Sequence, residues 1–77
     1  MLSAKRYAVT SYDRLWNYEY LVIPLEDFES PPEAKEFAEK WSKENRKESA
    51  VWCIDPGLSN PSVQVYRVGE DGRVWTL

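Results

Sequence analysis

Apolar and polar positions change their period several times along this chain, and each change predicts an element. Over residues 5–12, Tyr7, Val9 and Ser11 alternate with Ala8, Thr10 and Tyr12, the two-residue period of a strand. Residues 13–17 open on Asp and close on Asn, which supply turn chemistry. A second strand is expected over residues 18–25, with Tyr18, Tyr20 and Val22 on one side and Leu21, Ile23 and Leu25 on the other. Apolar bulk on both sides predicts a central strand, or an outer face with a use of its own. Pro24 has no N–H to donate and places the end of this strand at an edge or a bulge.

The period then lengthens. Ala34, Phe37, Ala38 and Trp41 fall at the i, i+3, i+4, i+7 spacing of one helical face, with Glu36, Lys40, Lys43 and Lys47 opposite. Ahead of them, Ser30-Pro31-Pro32-Glu33 reads as a capping box with proline in the first turn, predicting a helix over residues 31–45 that frays over 45–47. Residues 49–54 (S-A-V-W-C-I) form a short apolar run of β-formers, a third strand. Residues 55–62 are dense in turn residues, and residues 63–68 alternate again. Residues 69–72 suit a hairpin turn with Gly72 at positive φ, and residues 73–77 close the last strand.

The order β-β-α-β-β-β predicts one α+β domain over residues 1–77. Its antiparallel sheet carries one helix packed across one face, in a β-grasp-like or meander arrangement. Either arrangement places Phe37 and Trp41 between helix and sheet. For a 9.0 kDa chain, area scaling predicts that about 63% of the unfolded surface is buried, so little stability is left over. Eleven aromatic residues (four Trp, five Tyr, two Phe) are expected to supply much of that burial.

Composition narrows the chemistry. The chain has no histidine, the side chain most used for acid–base work near neutral pH. Cys53, the single cysteine, sits between Trp52 and Ile54 in an apolar run and is expected to pack as a small hydrophobe. One cysteine and no histidine cannot make a zinc site, and Glu70-Asp71 lacks the spaced oxygen ligands of a calcium loop. None of the three glycines precedes the helix, so no phosphate loop is present. A non-enzymatic protein without metal or cofactor is expected. No stretch approaches the roughly 20 apolar residues of a membrane span. The first seven residues carry two charges and no apolar run, which does not fit a secretory signal. With a lone cysteine, this predicts a cytoplasmic home.

Thirteen acids against ten bases give a net charge of −3, which argues mildly against nonspecific nucleic-acid binding. The acids are unevenly spread. Glu26, Asp27, Glu29, Glu33, Glu36 and Glu39 face only Lys35 in the same stretch, and Lys40, Lys43, Arg46 and Lys47 follow. Acids at a helix N-terminus and bases at its C-terminus complement the macrodipole. Glu26, Asp27 and Glu29 precede the helix, however, where a ridge facing a basic partner is the other reading. The second candidate is the aromatic set Tyr12, Trp16, Tyr18 and Tyr20. These rings suit hairpin packing, a protein interface or stacking on bases, the last drawing on Lys5, Arg6 and Arg14.

Several segments carry a resemblance: Tyr7-Ala8-Val9-Thr10, Val22-Ile23-Pro24, the acidic approach to the helix, Glu33-Ala34, Ala38-Glu39, Trp41 and Val65-Tyr66-Arg67-Val68. Together they span roughly three-quarters of the chain and are generic strand and helix grammar. The pattern resembles small phage proteins that bind and inhibit host machinery, among them the T7-type inhibitors of bacterial RNA polymerase. Inhibitors of CRISPR effectors and other bacterial defences share the same tiny, acidic style. The resemblance implies a non-enzymatic inhibitor in the host bacterial cytoplasm, whose partner is a host protein with a basic or nucleic-acid-binding surface. The surface expected to meet it comprises Glu26, Asp27, Glu29, Glu33, Glu36, Tyr12, Trp16, Tyr18 and Tyr20. A homodimeric accessory subunit and a weak nucleic-acid binder are the alternatives.

Overall fold

The structure is a computed structural model that describes residues 6–14, 19–55 and 62–77. Among these residues the elements follow in the order β1 (Arg6–Ser11), β2 (Asp13–Arg14), β3 (Tyr20–Leu21), β4 (Pro24–Phe28), α1 (Pro31–Asn45), β5 (Ser49–Ile54), β6 (Ser62–Val68) and β7 (Val74–Thr76). Five strands form one antiparallel sheet in the order β4-β1-β5-β6-β7, and β2 pairs with β3 apart from it. The helix lies across one face of the five-stranded sheet, so the α+β class and the antiparallel sheet are both present. β4 and β5 flank β1 and are each antiparallel to it, so they run parallel to one another with β1 between them. Helix α1 makes that crossover, and β5, β6 and β7 continue as a meander.

The helix begins where the prolines place it. Ser30 is the N-cap, extended at φ −125° and ψ 133°, and its carbonyl accepts the Ala34 N–H at 3.2 Å. Its hydroxyl makes no capping bond, which corrects the expected capping box. Proline at the first two helical positions leaves only two of the four N–H groups that a helix start normally exposes without partners, so less capping is needed. At the other end the helix stops sharply instead of fraying. Arg46 turns into the left-handed region (φ 54°, ψ 44°), and the Arg46 and Lys47 N–H groups both donate to the Ser42 carbonyl.

What α1 lays on the sheet is small. Ala34, Ala38 and Ser42, spaced four apart on one stripe, are fully buried. They meet Val9, Val51 and Val68, the largest fully buried apolar side chains. Rings therefore surround this centre and do not fill it: Tyr7, Phe28, Phe37 and Tyr66 are only partly buried. Phe37 meets Phe28 with ring centroids 5.4 Å apart, while Trp41 lies half-buried outside the central cluster. Phe37 thus packs against the core from the helix as expected, and the correction concerns Trp41, expected between helix and sheet. Small residues let the helix axis approach the strands, and bulky rings are displaced to its flanks. A buried polar bridge joins helix to sheet. The Ser42 and Ser49 hydroxyls are 2.6 Å apart, and Ser49 Oγ donates to the Ala38 carbonyl at 3.3 Å.

The second predicted strand is also revised. Residues 20–21 pair with β2, and a separate strand opens at Pro24 and runs to Phe28 along β1. Proline starts this strand instead of ending it. β4 is an edge strand, where a missing N–H breaks no ladder. A bulge between Val9 and Thr10 leaves Leu25 as the extra residue, and Glu26 and Asp27 belong to the strand and not to a loop. Strand β5 and helix α1 keep their predicted bounds. β6 begins one residue earlier at Ser62, and β7 is shorter, Val74–Thr76. The turn at residues 69–72 is as expected: Gly72 has φ 87°, and its N–H donates to the Gly69 carbonyl at 2.9 Å. Most of the predicted loop over residues 55–62, together with Lys5, Trp16 and Tyr18, lies outside the described residues. No helix among the described residues is long and apolar enough to cross a membrane.

Candidate protein-binding surface

Alternation puts Val9, Val51 and Val68 under the helix and their neighbours on the opposite, open face. Directly paired residues share a face, so the row Thr10, Ala50, Arg67 and Trp75 crosses four strands on that side. Trp52 lies beside it, and its indole N–H donates to Thr10 Oγ1 at 2.9 Å, fixing the ring against the sheet.

Arg67 organises one end of the open face. Its guanidinium carbon stands 3.9 Å from the Tyr12 ring centroid and 5.6 Å from that of Tyr20. Tyr12 and Tyr20 are themselves 4.4 Å apart, tilted by 36°. Glu48 Oε1 lies 3.8 Å from Arg67 Nη2, and the Glu48 carbonyl accepts the Tyr12 N–H at 2.9 Å. A guanidinium flat on a tyrosine face gains cation–π attraction while its edge remains available to a carboxylate. This cluster gives the Tyr12 and Tyr20 rings a fixed geometry.

From Tyr20 the chain runs through four consecutive exposed apolar side chains: Tyr20 at 41%, Leu21 at 45%, Val22 at 41% and Ile23 at 46% of full exposure. Their backbone is held in place by the Ser11 N–H donating to the Ile23 carbonyl at 2.8 Å, and by the Ile23 N–H donating to Ser11 Oγ at 3.3 Å. Beyond this run the open face dips into a groove of about 390 Å³, lined among others by Ala8, Val22, Pro24, Trp52, Ile54 and Asp27. A wider hollow of about 840 Å³ lies by the 69–72 turn, but Lys43, Arg46, Glu48, Glu70 and Asp71 give it charges of both signs.

The predicted acids divide into two groups. Glu26 and Asp27 are exposed on edge strand β4, with Glu29 exposed just beyond it. Glu33 and Glu36 are exposed on the first turns of α1. Asp27 alone bridges to the open face: it lines the groove, and its Oδ2 lies 3.8 Å from Arg6 Nη1. That pair is well exposed on both sides, so it holds the carboxylate weakly. Of the predicted rings, the structure brings Tyr12 and Tyr20 together; Trp16 and Tyr18 fall outside the described residues. Among the described residues, no three His, Cys, Asp or Glu side chains are grouped to hold a metal, and Cys53 is a half-buried free thiol.

Sequence reasoning missed Arg67, Trp52, Val22, Ile23 and Ile54 as surface members. Val22 and Ile23 lie between β3 and β4, and no local pattern marks Arg67. For Trp52 and Ile54 the signal was present in the two-sided apolar pattern over residues 49–54. In a sheet with one helix, such a pattern leaves one apolar side uncovered. No protein-family model matches the chain, and no curated protein or solved structure matches it either.

Proposed function

We propose that this chain is a non-enzymatic protein-binding module, a phage- or mobile-element-encoded inhibitor that covers the basic or nucleic-acid-binding surface of a host defence or transcription protein. The observation that carries the reading is the adjacency of the exposed run Tyr20-Leu21-Val22-Ile23 to an acidic edge strand bearing Glu26 and Asp27. An apolar centre beside charge of one sign is the anatomy of a protein interface: rings and aliphatic groups supply desolvation, and charge supplies orientation and encounter rate. The resemblance to small phage inhibitors points the same way, and the action takes place in the host cytoplasm.

The test is capture of a partner from bacterial lysate with the wild-type chain, repeated with the triple variant Glu26→Lys, Asp27→Lys, Glu29→Lys. All three positions are exposed, so the variant retains its thermal stability while capture is lost. Capture undiminished by the triple reversal overturns the reading. The same exposed run supports a second reading, a homodimer joined through Tyr20-Leu21-Val22-Ile23. A single monomeric species in sedimentation at high concentration removes it.

A further inference from the structure

The proposed function leaves the groove on the open face without a role, and the groove differs in kind from the acids beside it. Among the described residues it is lined by Ala8, Val22, Pro24, Trp52 and Ile54, by the hydroxyl residues Thr10 and Ser62, and by one carboxylate, Asp27. It is built on paired strands: Ala8 sits opposite Trp52 on one side and Asp27 on the other, and Arg6 sits opposite Ile54. Trp52 is held by its indole bond to Thr10, so the groove is preformed and needs no ring rotation to open.

Resting on the protein-binding reading above, we propose that this groove is the anchor site of that interface. Its occupant is an extended partner segment that inserts one apolar side chain over Trp52 and sets a lysine or arginine against Asp27. Charge complementarity selects this occupant. Asp27 lines the groove and Glu29 follows it along the same edge, while Glu26 pairs with Val9 and belongs to the helix-covered face; the helix bases Lys40, Lys43, Arg46 and Lys47 also lie on that far side. The opposing charge at the groove is Arg6, which an incoming cation displaces from an exposed pair at little cost. A preformed, largely apolar groove is where a single anchor side chain contributes most.

The experiment titrates the isotope-labelled chain with three twelve-residue probe peptides, alternating Lys–Leu, Lys–Ser and Glu–Leu. The Lys–Leu peptide is expected to shift the Trp52 indole N–H and the Ala8 and Thr10 amides, leaving Ala34 and Ala38 unmoved. Its affinity should exceed that of either other peptide at least tenfold. Val22→Glu, at an exposed position, should weaken Lys–Leu binding about tenfold, and Asp27→Asn about threefold, both with unchanged thermal midpoints. Lys–Ser binding as tightly as Lys–Leu overturns the anchor pocket, and Glu–Leu binding as tightly overturns the charge assignment. Shifts centred on Trp75, or none at millimolar peptide, overturn both. Partner capture that survives Val22→Glu but not the triple acid reversal overturns the groove proposal and leaves the protein-binding reading standing.

Discussion

The two faces of the five-stranded sheet are made from the same strands and obey opposite rules. Under the helix, Val9, Val51 and Val68 meet Ala34 and Ala38 with no exposure at all. On the other side the same strands bury Ala50 and Thr10 but leave Trp52 and Arg67 half-buried and Trp75 exposed, beside a groove. The covered face gains stability from small groups at close range. Its rings, Tyr7, Phe28, Phe37 and Tyr66, pack around that centre, whereas Trp52 and Trp75 on the open face have no helix over them. The size of a side chain here is therefore a poor guide to its weight in stability.

That contrast can be broken most forcefully from the covered side. Val51→Ala removes two methyl groups from the centre of the core and should cost about 2 kcal/mol, read as a shift in the denaturant midpoint at constant slope. Val22→Ala deletes the same two methyl groups on the open face and should stay within about 0.5 kcal/mol. Equal losses would erase the distinction between the faces. Next in size is Ser49→Ala, which removes the acceptor and donor joining Ser42 to the Ala38 carbonyl; about 1–2 kcal/mol is expected by the same measurement. Arg67→Ala, on the open face, should cost about 1 kcal/mol by freeing Tyr12 and Tyr20. It should also broaden the two tyrosine ring resonances, a sign that the covered face would not give. One further effect has the opposite sign. Arg46→Gly relieves a left-handed arginine at the helix C-terminus and should stabilise by about 0.5–1 kcal/mol, leaving the open face untouched.

How far the sequence exposed this arrangement depends on the range of each interaction. Helix α1 and strand β5 were legible to the residue, because a proline-led start, a 3.6-residue stripe and a compact apolar run are local signals. Strand β4 was not: Pro24 reads as lying at an edge or a bulge but as the end of a strand, whereas β4 begins there. The core was legible in position but not in character. Trp41 and Phe37 draw attention by size, yet Ala34, Ala38 and Ser42 set the distance between helix and sheet. The acidic residues could be seen as a group, but their division between β4 and α1 follows from pairing. The Arg67–Tyr12–Tyr20 cluster joins β6 to the first hairpin, and no local pattern announces a contact between positions so far apart.

The crossover through α1 has a consequence for how the chain reaches this state. β1 sits between β4 and β5, and its β5 partners lie 38 residues away at Ser11–Ser49 and 48 away at Arg6–Ile54. Half of its ladder therefore closes only after the helix has formed and carried β5 back across the sheet. Such long-range pairing pays its loop entropy before it is rewarded, so folding should be slow for a chain this short. During synthesis, β1 and β4 emerge as a lone hairpin, which is marginal in water. Val9 gains its full cover only when Ala34 and Ala38 of the helix and Val51 of β5 have all closed on it.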